Sequence, residues 1–260
     1  MPDWYLLREE KPLSAAENMA RDEYLFHLCH RKKCGFFRLY SWEKPTFSFG
    51  VSQKISRAIH VDFIRKKNCE YVRRITGGKT VLHHHEITYS VASSEAVFFL
   101  EHDLYKSYML ISKVIVRALG MMGLEAYLSK GKSAGLARSN QPCFSFPTLN
   151  EIEVSGKKIV GSAQKRDKQA LLQHGSIPIR MDYELYANGS NSERSFIEAN
   201  MTTLSELSDK PREVLSDFLV KDFQEFIGTG FKSYMFEKSD KNELEKIIEK
   251  YQSTDWNHRL

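Results

Sequence analysis

The 260-residue chain has no apolar run approaching the roughly 18–20 residues that cross a bilayer, so no membrane span is expected. At "MPDWYLLREEKPLS" no basic region precedes an apolar one, which argues against a secretory leader and for a cytoplasmic protein. Cysteine is scarce: Cys29, Cys34, Cys69 and Cys143 read as free thiols rather than a disulfide framework. "HLCHRKKC", His27 to Cys34, has the look of a zinc knuckle, but a structural zinc site draws on two such pairs and there is no second one. The plainer reading is a helix end and turn carrying two ordinary cysteines. No basic block is interleaved with aromatics, so no nucleic-acid partner is expected. Neither G-x-x-x-x-G-K-[ST] nor G-x-G-x-x-G occurs, which removes the two commonest phosphate cradles. Without internal repeats or low-complexity linkers, one domain over residues 1–260 is the expectation, with a helical C-terminal segment from about residue 205.

What is present is an ordinary globular composition, 42% apolar and 27% charged, enough for a full core. The formal charge of +5 is too mild to imply nucleic acid. It suits a small acidic partner, because complementary charge speeds encounter.

Ser14-Ala-Ala-Glu17 has the spacing of a capping box, and Ala16, Met19, Ala20, Tyr24 and Leu28 recur at helical spacing, predicting a helix from about Ala15 to Cys29. "PTFSFG" (Pro45 to Gly50), Tyr71 to Ile75 and "ITYSVA" (Ile87 to Ala92) read as strands. Tyr108, Ile111, Ile115, Ala118, Leu119 and Met122 mark a second long helix ending around Gly120 to Gly123. Two alternating runs flank Ser155-Gly156 as a hairpin, and Leu171 to Ile179 reads as another strand. Asn188 to Arg194 is expected to be a polar loop. Pro211 opens a helix with Leu215, Leu219, Phe223 and Phe226 on one side, and "KNELEKIIEKY" forms the last. Strands in the middle and long helices outside predict an α+β fold with helices on a mixed sheet.

Three places carry potential chemistry. In "RRITGGKTVLHHHEITYS", Arg73 to Ser90, strand alternation sends His83 and His85 one way and His84 the other, so the three cannot share a metal ion. Thr76-Gly77-Gly78 follows a strand, with Lys79 and Arg74 adding charge. Paired glycines either bring backbone N–H groups to a ligand oxygen or simply make a tight turn. In "QPCFSFPTLNEIEVSGKKIVGSAQ", Cys143 is either a small buried residue or a nucleophile, and a nearby lysine would raise its thiolate fraction. Lys157 and Lys158 point to opposite faces, so one can meet a cleft. Gly161, Ser162 and Ala163 permit close packing against a substrate or against a helix.

Together, "RRITGGKTVLHHHEITYS" and "NEIEVSGKKIVGSAQKR" resemble the biotin/lipoate ligase and octanoyltransferase superfamily, nearest its ligase-like octanoyltransferases. "NMARDEYL" near Asn18, "PTFSFGVSQ" at Pro45 to Gln53, "LLQHGSI" at Leu171 to Ile177 and the terminal "YQSTDWN" resemble further family segments. The resemblance therefore runs from about residue 15 to 257. It implies the family's mixed sheet flanked by helices, and transfer of a medium-chain acyl group to a lysine of a lipoyl domain or glycine-cleavage H protein. In the transferase branch acyl carrier protein is the donor, Cys143 the nucleophile and Lys158 the cation beside it, with no cofactor. Arg74, Gly77, Gly78, Lys79, Thr80, Val81, Leu82 and His83 would bind substrate, as would Gly161, Ser162, Ala163 and His174. No metal ligand is implied. The ligase branch would use ATP and magnesium, with Lys158 bridging the substrate carboxylate and the α-phosphate. Lys79 stands where ligases carry a third glycine, wording nearer the transferases. Asn150-Glu151 resembles the ligases' Asn-Asp, and His84 replaces an acidic residue usual in both. A relative that only binds a lipoyl domain is a third reading.

Overall fold

The computed structural model of the chain describes residues 2–94, 104–129 and 151–260. β1 (Asp3–Arg8) leads to α1 (Ala15–Arg31), β2 (Cys34–Tyr40) and β3 (Thr46–Phe49). Short helices α2 (Ile55–Ala58) and α3 (Val61–Lys66) precede β4 (Glu70–Arg73), β5 (Val81–His83) and β6 (Glu86–Ser94). Next come α4 (Leu104–Met121), β7 (Ala126–Leu128), β8 (Ile152–Val154), β9 (Lys157–Arg166) and β10 (Ala170–Pro178). The chain closes with α5 (Tyr183–Gly189), α6 (Arg194–Asn200), α7 (Leu204–Leu207), α8 (Arg212–Ile227), β11 (Lys232–Ser233), α9 (Lys238–Gln252) and α10 (Thr254–Asn257).

Eight strands form one mixed sheet in the order β11-β1-β2-β6-β10-β9-β8-β7, parallel at the β11-β1-β2 end and antiparallel beyond it. The class is the α+β one expected, but the strands divide. β4-β3-β5 makes a separate three-stranded sheet, which the sequence pattern did not distinguish. α4 and α8 cover one face of the large sheet, burying Ile111, Ile115, Leu215, Leu219 and Phe223 on Ile87, Tyr89 and Val91. α1 and α9 cover the other. Each fully buried Leu or Phe contributes roughly 1.5–3 kcal/mol, so these two layers hold the large sheet in place.

The local signals explain most boundaries. Ser14 and Glu17 form the reciprocal cap of α1. Ser155 and Gly156, at φ +50° and +77°, make the tight β8–β9 turn. Two expectations change. Cys34 does not lie in a turn; it is the buried first residue of β2. "NGSNSER" is a loop only over residues 190–193, because the Asp182 cap starts a helix that runs through Gly189 and another begins at Arg194. β2 itself escaped the pattern because all seven of its residues are buried, Arg38 included, so nothing alternates. Among the described residues no helix is long and apolar enough to cross a membrane.

Candidate active site

The two sheets and α1 line a pocket with about 340 Å³ of empty space, part of it open to solvent. Arg74, Val81, His83, Gly161, Ser162, Ala163 and His174, all picked out in the sequence, line it together with Met19, Tyr40, Trp42 and Ser48. The other predicted binding residues lie outside that lining. Leu82 is fully buried in the core of the small sheet. Thr80 is tied into the scaffold, its hydroxyl donating to the Ala58 carbonyl and its own carbonyl accepting from Tyr186. Gly77, Gly78 and Lys79 form a turn beside the cavity.

Polar residues reach the cavity because β6 and β10 are buried on both sides and carry different chemistry on each. On β6, Ile87, Tyr89 and Val91 join the α4–α8 core, while Glu86, Thr88 and Ser90 alternate with them and bond on the other side. From there two hydrogen-bonded chains are built. In the first, His83 Nδ1 lies 2.7 Å from Glu86 and its Nε2 lies 2.6 Å from Ser48 Oγ. In the second, His174 Nδ1 lies 2.9 Å from Asp22 and its Nε2 lies 2.7 Å from Thr76 Oγ1.

The charge states follow from the surroundings. Burial alone would raise the Glu86 carboxyl, but His83, Ser176 and Thr88 together hold it below its ordinary value. Burial likewise opposes ionisation of Asp22, and is outweighed by the bond from His174, the Arg38 charge and the Ser90 hydroxyl. Two carboxylates that only accept fix both Nδ1 atoms as donors. Each Nε2 then faces a hydroxyl oxygen. Burial, helped by the Arg74 charge, pushes His174 below its ordinary value despite Asp22, so it stays neutral at pH 7.

Arg74 joins the chains. Its Nη1 donates to Ser48 Oγ at 2.9 Å and its Nε to Thr76 Oγ1 at 3.3 Å. Its Nη2 donates to the carbonyls of Gly77 and Lys79, both at 2.9 Å, which pins the glycine turn. That turn needs glycine twice over. Gly78 sits at φ +88°, and a Cβ on Gly50 would lie 2.1 Å from the Gly78 oxygen. The adjacent Arg73 serves the scaffold instead, donating to the carbonyls of Gln53 and Asn257 at 2.7 and 2.9 Å. The terminal "DWN" thus locks β4 in position.

Lys158 is fully buried, with Nζ 2.5 Å from the Glu151 carboxylate. A charge taken out of water is costly unless paired, and Glu151 offsets that cost. Its placement depends on an irregularity. β8 pairs Ile152 with Val160 and then Glu153 with Lys158, so Ile159 is an extra residue. Ile159 and Val160 both enter the same core cluster. The bulge therefore shifts the alternation and brings Lys158 into phase with Gly161 and Ala163. Lys158 is not itself part of the cavity lining. Cys143, the predicted nucleophile, lies outside the described residues.

Sequence reasoning missed Asp22, Trp42, Ser48 and Glu86. Asn18 and Asp22, four residues apart on α1, lie off its apolar stripe, and the helical spacing did not mark them as buried. Trp42, stacked on His83 at 4.2 Å, left no signal either. His84 and His85 stack on each other, away from His83's partners. Among the described residues no cluster of three His, Cys, Asp or Glu side chains could hold a metal ion.

Comparison with known proteins agrees with this architecture. Residues 14–232 match the model of the lipoyl protein ligase A/B catalytic domain, and the chain belongs to that family. It is 33% identical to Octanoyltransferase LipM of Kyrpidia tusciae, over 100% of both chains. It is 34% identical to Octanoyltransferase LipM of Bacillus cereus over 95% of each. Among solved structures, a bipartite lipoate protein ligase from Thermoplasma acidophilum superposes with a TM-score of 0.83 at 18% identity, over 99% of this chain and 97% of that one. That likeness concerns the fold alone.

Proposed function

We propose that this protein is an octanoyltransferase, passing an octanoyl group through a cysteine thioester to a lysine of a lipoyl domain or glycine-cleavage H protein. The observation that carries this reading is the full-length kinship with curated octanoyltransferases. Acyl carrier protein is the donor. Cys143 thiolate attacks the octanoyl thioester of the carrier, the carrier thiol leaves, and the acceptor amine then takes the acyl group from Cys143. The Lys158 ammonium stabilises the thiolate and the tetrahedral oxyanion. The cavity holds the acyl chain, where each buried methylene contributes about 0.8 kcal/mol, roughly 5 kcal/mol for the whole chain. The reaction so written needs neither ATP nor metal. The C-terminal helices belong to the same catalytic unit, and the reaction runs in the cytoplasm.

The test is modification of apo lipoyl domain by octanoyl carrier protein, run beside octanoate with ATP. Transfer from the carrier without ATP supports the proposal. Pyrophosphate exchange with ATP that persists in Cys143→Ala replaces it with a ligase.

A further inference from the structure

Exposed cations are not treated alike across the surface. Arg8, Arg31, Arg117, Arg194 and Arg212 each lie within 3.0 Å of an Asp or Glu oxygen. At the end of α1 the basic run Arg31 to Lys33 is met by Glu243 and Asp240. Residues 54–67, which carry α2 and α3, differ. Lys54, Arg57, Arg65, Lys66 and Lys67 are all exposed, and none has a carboxylate within 4.0 Å among the described residues. Within the segment only Asp62 opposes them, giving a net +4 in fourteen residues against +5 for the whole chain. Arg65 Nη2 donates to the Tyr71 hydroxyl at 3.3 Å, and the Lys67 ammonium lies 5.8 Å from the centre of the Phe63 ring. Those contacts hold the side chains without neutralising them. Crowded like charges repel, and an acidic partner relieves that repulsion.

The patch has a defined place relative to the cavity. In the small sheet Ser48, Val81 and His83 line the cavity, while Phe47, Phe49 and Leu82 alternate with them and pack with Ala58, Ile59 and Ile64 of the α2–α3 segment. That segment therefore lies one layer out from the cavity. It also supports the glycine turn at the cavity's edge, because the Ala58 carbonyl accepts from Thr80 Oγ1 at 3.0 Å. In the loop leading into it, the Val51 N–H donates to the Thr76 carbonyl at 2.9 Å. We propose that Lys54, Arg57, Arg65, Lys66 and Lys67 form the docking surface for the donor, an acidic carrier protein. The inference rests on the transferase reading and adds where the donor binds. The two partners of the transfer reach the cavity differently. An acceptor lysine has only its own short stem, so its protein must come right up to the reacting carbon. A carrier presents its thioester at the end of a long prosthetic arm and docks at a distance. A basic surface one layer out from the cavity fits the carrier. Opposite charge speeds its encounter and orients it, so the contribution falls on KM rather than on the chemical steps.

Steady-state transfer to apo lipoyl domain tests the assignment, with octanoyl carrier protein and the small thioester S-octanoyl-N-acetylcysteamine as alternative donors. In the triple variant Arg65→Glu, Lys66→Glu, Lys67→Glu the KM for octanoyl carrier protein rises about tenfold at low salt, and the difference from wild type shrinks as salt is added. Its kcat, its KM for lipoyl domain and its turnover of the small thioester stay at the wild-type values. The double variant Lys54→Glu, Arg57→Glu, carried in parallel in case the triple variant fails to fold, gives the same selective rise. An unchanged KM for the carrier overturns the docking surface and leaves the transferase reading intact. A rise confined to the KM for lipoyl domain gives the patch to the acceptor and overturns the proposal too, as does a wild type that uses only the small thioester. A wild type that transfers from neither donor overturns the transferase reading itself, and the docking surface with it.

Discussion

Glu86–His83–Ser48 and Asp22–His174–Thr76 are assembled alike, carboxylate to Nδ1 and Nε2 to hydroxyl, and both hydroxyls accept from Arg74. They differ in what lies beyond. The Ser48 chain ends on the cavity wall. The Asp22 chain continues into the scaffold, where Asp22 also accepts from the buried Arg38 at 2.9 Å, from Ser90 at 2.8 Å and from Tyr40 at 2.9 Å. Chains of the same geometry thus meet different surroundings at their hydroxyl ends.

The sharpest way to break this comparison is Asp22→Ala. It leaves the Arg38 guanidinium, fully buried, with Glu9 as its remaining ion partner, and strips three further donors of their acceptor. Breaking a buried pair costs about 3–5 kcal/mol, and urea unfolding should show a loss of that size. An effect confined to acyl transfer, with stability unchanged, would contradict the bracing role of Asp22.

Thr76→Val is the smaller counterpart. It leaves His174 Nε2 without its hydroxyl, which costs about 1–3 kcal/mol in unfolding free energy. The ratio of acyl-enzyme formation to discharge should stay at the wild-type value.

Acidification sharpens the comparison from another side. Asp22 and Glu86 are held below their ordinary values of 3.8 and 4.5, so their stabilisation is present above those values and lost as pH falls through the folded ones. His174, held neutral below its ordinary 6.5, adds in the same direction, because below that pH the unfolded chain binds the proton that the folded chain refuses. Stability should therefore decline gradually below about pH 6.5 and steeply in the carboxylate range. In Asp22→Ala the first part of that slope should change with the altered setting of His174. A wild-type unfolding midpoint that is flat from pH 7 to 4 would contradict both chains.

The sequence carried the site unevenly. Arg74, His83 and His174 stood out within segments that resemble a known family, and the Ser155-Gly156 hairpin and the stripe of α1 could be read from spacing alone. Ser48 was visible only as part of an alternating strand, and Glu86 lay just outside the "ITYSVA" run. Their significance depends on partners far away in the chain: Asp22 meets His174 across 152 residues, and Ser48 meets His83 across 35. Alternation says which way a side chain points but not what it meets. For Lys158 even the direction was hidden, since the bulge at Ile159 resets the phase of β9. The division into two sheets stayed out of reach for the same reason, because strand partners are chosen by tertiary packing.

The most direct measurement is the intact mass of the protein after mixing with octanoyl carrier protein in the absence of ATP, for wild type and Cys143→Ala. The account predicts one octanoyl adduct on the wild type, discharged on addition of apo lipoyl domain, and none on the variant. An adduct retained by Cys143→Ala, or transfer that starts only when octanoate and ATP are supplied, would contradict it.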